Sequence, residues 1–215
     1  MLRGGIMQKA TTTQQTSSTW YGEYRQWLTE EESLQNAQLV ANHFGSSWTP
    51  ESISALCGNM RVESSVNPDM YEFGYDWEDD RGYGLVQWTP RSKYWNWAEN
   101  NNLAPRDGNS QLARIDYEKE NGIQWIATST YPESFDEFSL SKKTLNYLTN
   151  AFCWNYERPN QQAGEESMPT RIAFAELCYI ELDFSGSPTP QPPKYPYVVR
   201  RHSTNMRRMG VRGRR

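Results

Sequence analysis

Cysteine and histidine are scarce in this chain of 215 residues, with three of the first and two of the second, and each scarcity removes a class of function. Three is an odd number for a disulfide framework, and Cys57, Cys153 and Cys178 each fall among apolar positions at helical spacing, so they read as reduced core residues. His43 and His202 stand far apart in the sequence and form no metal-spaced cluster with the cysteines, which argues against a zinc peptidase or amidase; no metal and no cofactor is implied. A cysteine amidase or endopeptidase would need a Cys–His pair, for which Cys57 and His43 are the sequence-local candidates, yet Cys57 also fits the helix core. No apolar run is long enough to span a membrane. The opening Met1-Leu2-Arg3-Gly4-Gly5-Ile6 lacks the continuous apolar segment of a secretory signal, so synthesis in the cytosol without signal-peptide export is the expectation. Acidic residues are missing after Asp183, where Lys194 and seven arginines (Arg200, Arg201, Arg207, Arg208, Arg212, Arg214 and Arg215) give that stretch a charge of +8 against −4 for the whole chain. Such a stretch suits polyanions, either anionic wall polymer or nucleic acid.

The length allows one domain with tails. Residues 1–19 are rich in Thr, Gln and Ser without periodicity and read as a flexible leader. Residues 20–183 carry the helical signals. Residues 184–215 begin with Ser185-Gly186-Ser187-Pro188 and further prolines up to Pro196, an extended linker before the arginine-rich tail. Thr29-Glu30-Glu31-Glu32 is a capping box, continued at helical spacing by Leu34, Ala37, Val40, Ala41 and Phe44. Thr49 suits an N-cap and Pro50 the first position of a second helix bearing Ile53, Leu56, Cys57 and Met60. Later helices are predicted near Gln111 to Trp125, Lys142 to Tyr156 and Pro169 to Leu182. Strand signals are thin and confined to about Tyr71 to Trp88. The fold class is therefore mainly α, with a small β or loop region flanking a groove.

Glu63 lies where the second helix ends ahead of Asn67-Pro68, near one edge of the apolar face. A carboxyl that is partly desolvated there would hold its proton more tightly and serve as a donor near neutral pH; the alternative is a solvent-facing carboxylate at a helix end. About twenty residues later Gly82-Tyr83-Gly84-Leu85-Val86-Gln87 suits a tight extended stretch lining a groove, where glycine lets another chain or a sugar approach closely. Flat aromatic faces stack on pyranose rings, so Trp77, Trp88, Trp95 and Trp97 around it, with Tyr83, are candidate sugar contacts; core packing is the competing account.

Glu63-Ser64 followed by Gly82-Tyr83-Gly84-Leu85-Val86-Gln87 resembles the lysozyme superfamily, especially goose-type lysozymes and lytic transglycosylases. With Gly58-Asn59-Met60, Asn67-Pro68, Trp88-Thr89-Pro90 and Asn155-Tyr156-Glu157-Arg158-Pro159 the pattern is similar to the phage tail lysozyme domain, over about Trp20 to Asp183. The resemblance implies a lysozyme-like α+β fold and cleavage of peptidoglycan between N-acetylmuramic acid and N-acetylglucosamine, with Glu63 as general acid. It implies Gln87 and Tyr156 beside the substrate, and a water-positioning acid in the loop Asp69, Asp76, Asp79, Asp80, of which Asp80 matches best by context. Thr89 stands where goose-type enzymes carry a later Asp, and its hydroxyl could orient the water instead. A lytic transglycosylase, which uses the substrate's own hydroxyl, and a non-catalytic wall-binding tail module are the alternatives. The implied partners are glycan strands and phage tail proteins; the implied setting is a virion tail, or host cytoplasm before release.

Overall fold

The computed structural model describes residues 19–22 and 24–185. The expected leader and the linker with its arginine tail lie outside the described residues, apart from Thr19, Phe184 and Ser185. Among the described residues seven α-helices carry the fold: α1 Glu30–Phe44, α2 Pro50–Ser64, α3 Ser92–Asn100, α4 Gly108–Glu120, α5 Phe135–Ser139, α6 Leu145–Phe152 and α7 Gln161–Glu181. A 3-10 turn occupies Trp77–Asp79, and a π-helical turn, Cys153–Glu157, continues α6.

The first two helices start where the sequence places them. Thr29 accepts from the backbone N–H of Glu32, whose side chain returns a bond to the Thr29 N–H, so two orphan donors are satisfied at once. Thr49 caps α2 through the Ser52 N–H, with Pro50 at the first position. The α2 helix is buried along most of its length and packs chiefly on α7 and α6. Gly58 permits the closest approach: a Cβ there would stand 2.3 Å from the Arg171 carbonyl oxygen on α7. Two aromatic groups complete the core. Phe44, Trp48, Phe135, Phe138, Phe152 and Tyr156 fill one, and Tyr83, Trp88 and Tyr94, with Trp77 and Trp95 at their edge, fill the other. Burying each such ring contributes about 1.5–3 kcal/mol.

Several boundaries differ from expectation for local reasons. The helix predicted from Pro169 starts at Gln161, because Asn160 caps it through the Ala163 N–H and Pro169 is accommodated inside. The helix predicted to reach Trp125 stops at Glu120, ahead of Gly122 at φ +61°. That predicted from Lys142 waits for the Thr144 cap. Helices α3 and α5 were not anticipated. In the Tyr71–Trp88 region the backbone forms only the isolated antiparallel bridges Tyr71 with Tyr83 and Tyr83 with Trp88. The chain there turns too often for a strand, with positive φ at Asp80, Gly84 and Gln87.

Candidate active site

A cleft of about 660 Å³ opens between the end of α2 and the loop that follows it. Its lining includes Glu63 from α2, Glu157 and Arg158 from the turn after α6, Glu72, Gly82, Gln87, Trp88 and Thr89 from the loop region, and Trp27 with Phe73.

Glu63 occupies the last turn of α2, its side chain 20% exposed. Its Oε1 accepts a hydrogen bond of 2.6 Å from Nη2 of Arg171, a side chain only 2% exposed. Arg171 is itself fixed: Nη1 donates to Asn59 Oδ1 at 2.9 Å and Nε to Ser167 Oγ at 3.2 Å. Asn59 in turn donates to the carbonyls of Ala55 and Thr149, tying α2 to α6. Burial works against the charge of Arg171, yet its ion pair with Glu63 favours the protonated form. This arginine was not singled out from sequence. The available signal was its place in α7, at the head of the inward positions Phe174, Ala175 and Cys178, where a charge needs a partner.

The loop part of the lining is shaped by backbone. Gly84 and Gln87 both take positive φ, +83° and +48°, and the Gln87 amide donates to the carbonyls of Met70 and Gly84. Gly82 leaves an opening on which three side-chain oxygens converge. A Cβ there would meet Gln87 Oε1 at 2.8 Å, Thr89 Oγ1 at 3.2 Å and Glu72 Oε2 at 3.3 Å. Glu72 is anchored by accepting from the Gly82 N–H at 3.0 Å, and Thr89 by donating to the Gln87 carbonyl at 3.1 Å.

The remaining candidates divide. Trp88 belongs to the cleft lining but is buried, donating its indole N–H to Glu118 at 3.1 Å. Tyr156 is fully buried and donates its hydroxyl to the other oxygen of Glu118, which also pairs with Arg114 at 2.9 Å. Burial raises Glu118 above the ordinary carboxyl range, against the pull of Tyr156, Arg114 and Trp88. Tyr83 is buried and donates to Asp69, which Arg106 also engages. Trp77 lies beneath the guanidinium of Arg91, 3.9 Å from ring centroid to carbon, away from the cleft lining. Asp80 is likewise outside the lining. Its carboxylate accepts from the N–H of Ser92 at 2.7 Å and from the Ser92 hydroxyl, so it holds the start of α3. Asp76 and Asp79 cap the 3-10 turn.

Two exposed aromatics went unremarked in the sequence. Trp27 and Phe73, 51% and 49% exposed, stand at the cleft with ring centroids 6.2 Å apart and planes 16° from parallel. The cysteine reading loses its pair: His43 bonds Asp116 at 2.8 Å, while the buried Cys57 meets Cys178. Burial also pushes the Cys153 thiol up to about 12. All three cysteines are free and buried, as the sequence suggests.

A mainly helical domain with a carboxyl at the end of a buried helix, lining a cleft together with a glycine-bearing loop, has the organisation of the lysozyme-like class. The profile of the phage tail lysozymes matches residues 35–182, and the chain belongs to that family. It is 36% identical over 174 residues to morphogenesis protein 1 of Bacillus phage B103, an alignment covering 80% of this chain and 46% of that protein. The chain thus spans about half the length of this relative. Among the described residues no helix is long and apolar enough to cross a membrane.

Proposed function

We propose that this chain is a muramidase of the phage virion, hydrolysing the β-1,4 bond between N-acetylmuramic acid and N-acetylglucosamine, with Glu63 as general acid. The observation that carries the reading is Glu63 itself, a carboxyl at the mouth of the buried α2 helix, open to the cleft and fixed from behind by Arg171. In the reaction the Glu63 proton goes to the glycosidic oxygen, which keeps the electron pair of the broken bond. Water then attacks the sugar carbon from the opposite face.

A group must hold that water. Asp80 is committed to Ser92, whereas Glu72, Thr89 and Gln87 present oxygens to one point beside Gly82 in the cleft that Glu63 also lines. Glu72 is therefore assigned as the base, with Thr89 and Gln87 as its neighbours in orienting water. A carboxylate in that place favours hydrolysis over the transglycosylase route, which needs no base beyond the acid's own carboxylate. Trp27 and Phe73 offer flat apolar faces for sugar rings at the rim, whereas Trp88, stacked on Tyr94 in the core, backs the lining. Tyr83, Tyr156 and Trp77 act from behind as scaffold. Family membership and the phage relative support a place in the tail, with glycan strands as substrate; the arginine-rich stretch would add attraction to anionic polymer.

Digestion of purified sacculi followed by mass spectrometry tests the reading. Reducing-end muramic acid products, abolished by Glu63→Gln, are expected. Dominant 1,6-anhydro products would transfer the chain to the transglycosylases, and undiminished lysis by Glu63→Gln would remove Glu63 from the role.

A further inference from the structure

Beside the carboxyls Glu63, Glu72 and Glu157, the cleft lining carries two cations, Lys93 and Arg158. Both are tied to one residue. Lys93 Nζ donates to Gln124 Oε1 at 2.9 Å, and Arg158 Nη1 donates to the Gln124 carbonyl and, at 2.9 Å, to that of Asn155. Gln124 also lines the cleft and is fixed a third time, its amide donating to the Tyr156 carbonyl at 3.0 Å.

Local backbone brings these groups together. After α4 the chain turns at Gly122 and again at Gln124, which takes φ +68°, while Arg158 closes the π-helical turn at φ +52°. Side chains of the L configuration rarely adopt that conformation, and here two such residues are bonded to each other. Lys93 arrives from elsewhere, as the second residue of α3, whose start Asp80 holds through Ser92. Three segments distant in sequence thus deliver two positive groups to one stretch of the lining.

No carboxylate of the chain answers them. Among the described residues neither Lys93 nor Arg158 forms an ion pair, although Glu157 adjoins Arg158 in sequence. Their hydrogen bonds go to neutral oxygens, and Arg158 commits only Nη1, so Nη2 and Nε make no hydrogen bond to the described residues. In a strand of alternating N-acetylglucosamine and N-acetylmuramic acid the rings are neutral. The anions sit on the 3-O-lactyl branch of the muramic residue, as the lactyl carboxylate itself or as carboxylates of a peptide attached to it. Glu63, Glu72 and Glu157 do not suit such a group, whereas a planar guanidinium beside an ammonium does.

We propose that Lys93 and Arg158 form a carboxylate subsite for the lactyl branch of the muramic residue, so that the cleft selects acidic peptidoglycan over neutral glycans. The inference rests on the reading of the cleft as a muramidase site and names two specificity residues within it. Gln124 is their positioning residue.

The test is an NMR titration of the full chain with the disaccharide N-acetylglucosaminyl-N-acetylmuramic acid, which contains no muramyl–glucosamine bond to cut. The bare disaccharide and its peptide-bearing form are each compared as free acid and as methyl ester. At low salt at least one acid should bind about tenfold more tightly than its ester, and the two pairs tell which carboxylate is taken. Lys93→Gln should cut that preference about threefold, Lys93→Arg should retain it, and Lys93→Gln combined with Arg158→Gln should remove it. Because Lys93 and Arg158 are exposed, the preference should also fade as sodium chloride rises to about 0.5 M. Backbone amide signals of Lys93, Gln124 and Arg158 should shift with the acid and not with the ester. Equal affinity for acids and esters, a preference indifferent to salt, or acid-specific shifts confined to other residues would overturn the inference; these readings use the wild type and stand even if the double variant fails to fold. A preference undiminished in Lys93→Gln and in the folded double variant would overturn it as well. Sacculi left whole by the wild type would sink the muramidase reading alone, since the disaccharide titration involves no cleavage.

Discussion

The wall that carries Glu63 and the wall that carries Glu72, Gln87 and Thr89 face one cleft but hold their side chains differently. On the first, regular helices interlock: α2 and α7 meet at Gly58, and a chain of hydrogen bonds runs from Thr149 through Asn59 and Arg171 to Glu63. On the second, no repeating backbone pattern is available, and shape comes from residues in left-handed conformations, Ser65, Val66, Asp80 and Gln87 among them. Each costs about 1–2 kcal/mol in isolation, and the surroundings offset it. Ser65 Oγ accepts from the Leu28 N–H, and the Val66 carbonyl accepts from Asn36, a residue that also binds Tyr21. A proton donor needs one fixed position relative to a charge, and helices supply it. A water site needs several oxygens aimed at one point, and an irregular loop can aim them.

The widest test of this contrast lies behind both walls, at Glu118. Glu118→Ala strips partners from Arg114, Trp88 and Tyr156 together, and a loss of about 3–5 kcal/mol is expected in urea or thermal unfolding. Glu72→Gln tests the loop wall alone. The amide can still accept from Gly82, so the fold should hold while turnover falls about hundredfold; a rate near that of the parent would return the water site to Thr89 and Gln87.

Stability against pH separates the walls in another way. Glu157 and Glu118 both have raised pKa values from burial, so the folded state holds their protons more tightly than the unfolded chain. Stability should therefore fall as pH rises from the ordinary carboxyl range towards the raised values, by up to about 1.4 kcal/mol per pH unit for each group. Calorimetry of Glu157→Gln beside the wild type should show the variant gaining relative stability as pH rises through that window. At the rim, Trp27→Ala should raise KM about tenfold and leave kcat nearly unchanged, because a stacked ring binds substrate and transition state alike. Least affected is Asp80→Asn, expected to cost about 1 kcal/mol or less at the start of α3 and to leave turnover within a few fold of the parent.

These differences mark what the sequence makes legible. Helix caps at Thr29 and Thr49, the burial of the three cysteines and the place of Glu63 at the edge of an apolar stripe follow from local pattern, and local pattern is what fixes α1 and α2. Arg171 lies 108 residues from Glu63, and no periodicity connects them. Asp80 stands next to Arg81-Gly82 in the chain, but its left-handed backbone turns it to Ser92. Glu72 comes beside Gly82 through pairing across the loop, where its N–H bonds the Gly82 carbonyl at 2.9 Å. The aromatics near the glycines were drawn inward by their own surface: Tyr83 and Trp88 into the core, with Trp77 and Trp95 packed against it. Trp27 and Phe73, outside any periodic segment, remained for the rim.

Gly58 contains no atom that touches the cleft, yet it sets the gauge of the acid. Because the Arg171 carbonyl occupies the space where a side chain at 58 would begin, the separation of α2 and α7 and the reach of the guanidinium to Glu63 are one dimension, measured at two places. Widening that seam by a single methyl group would lengthen a charged contact one and a half turns along α2 from the substitution. The seam that confers rigidity and the field that tunes proton donation are inherited together, and sequence change in one is read out in the other.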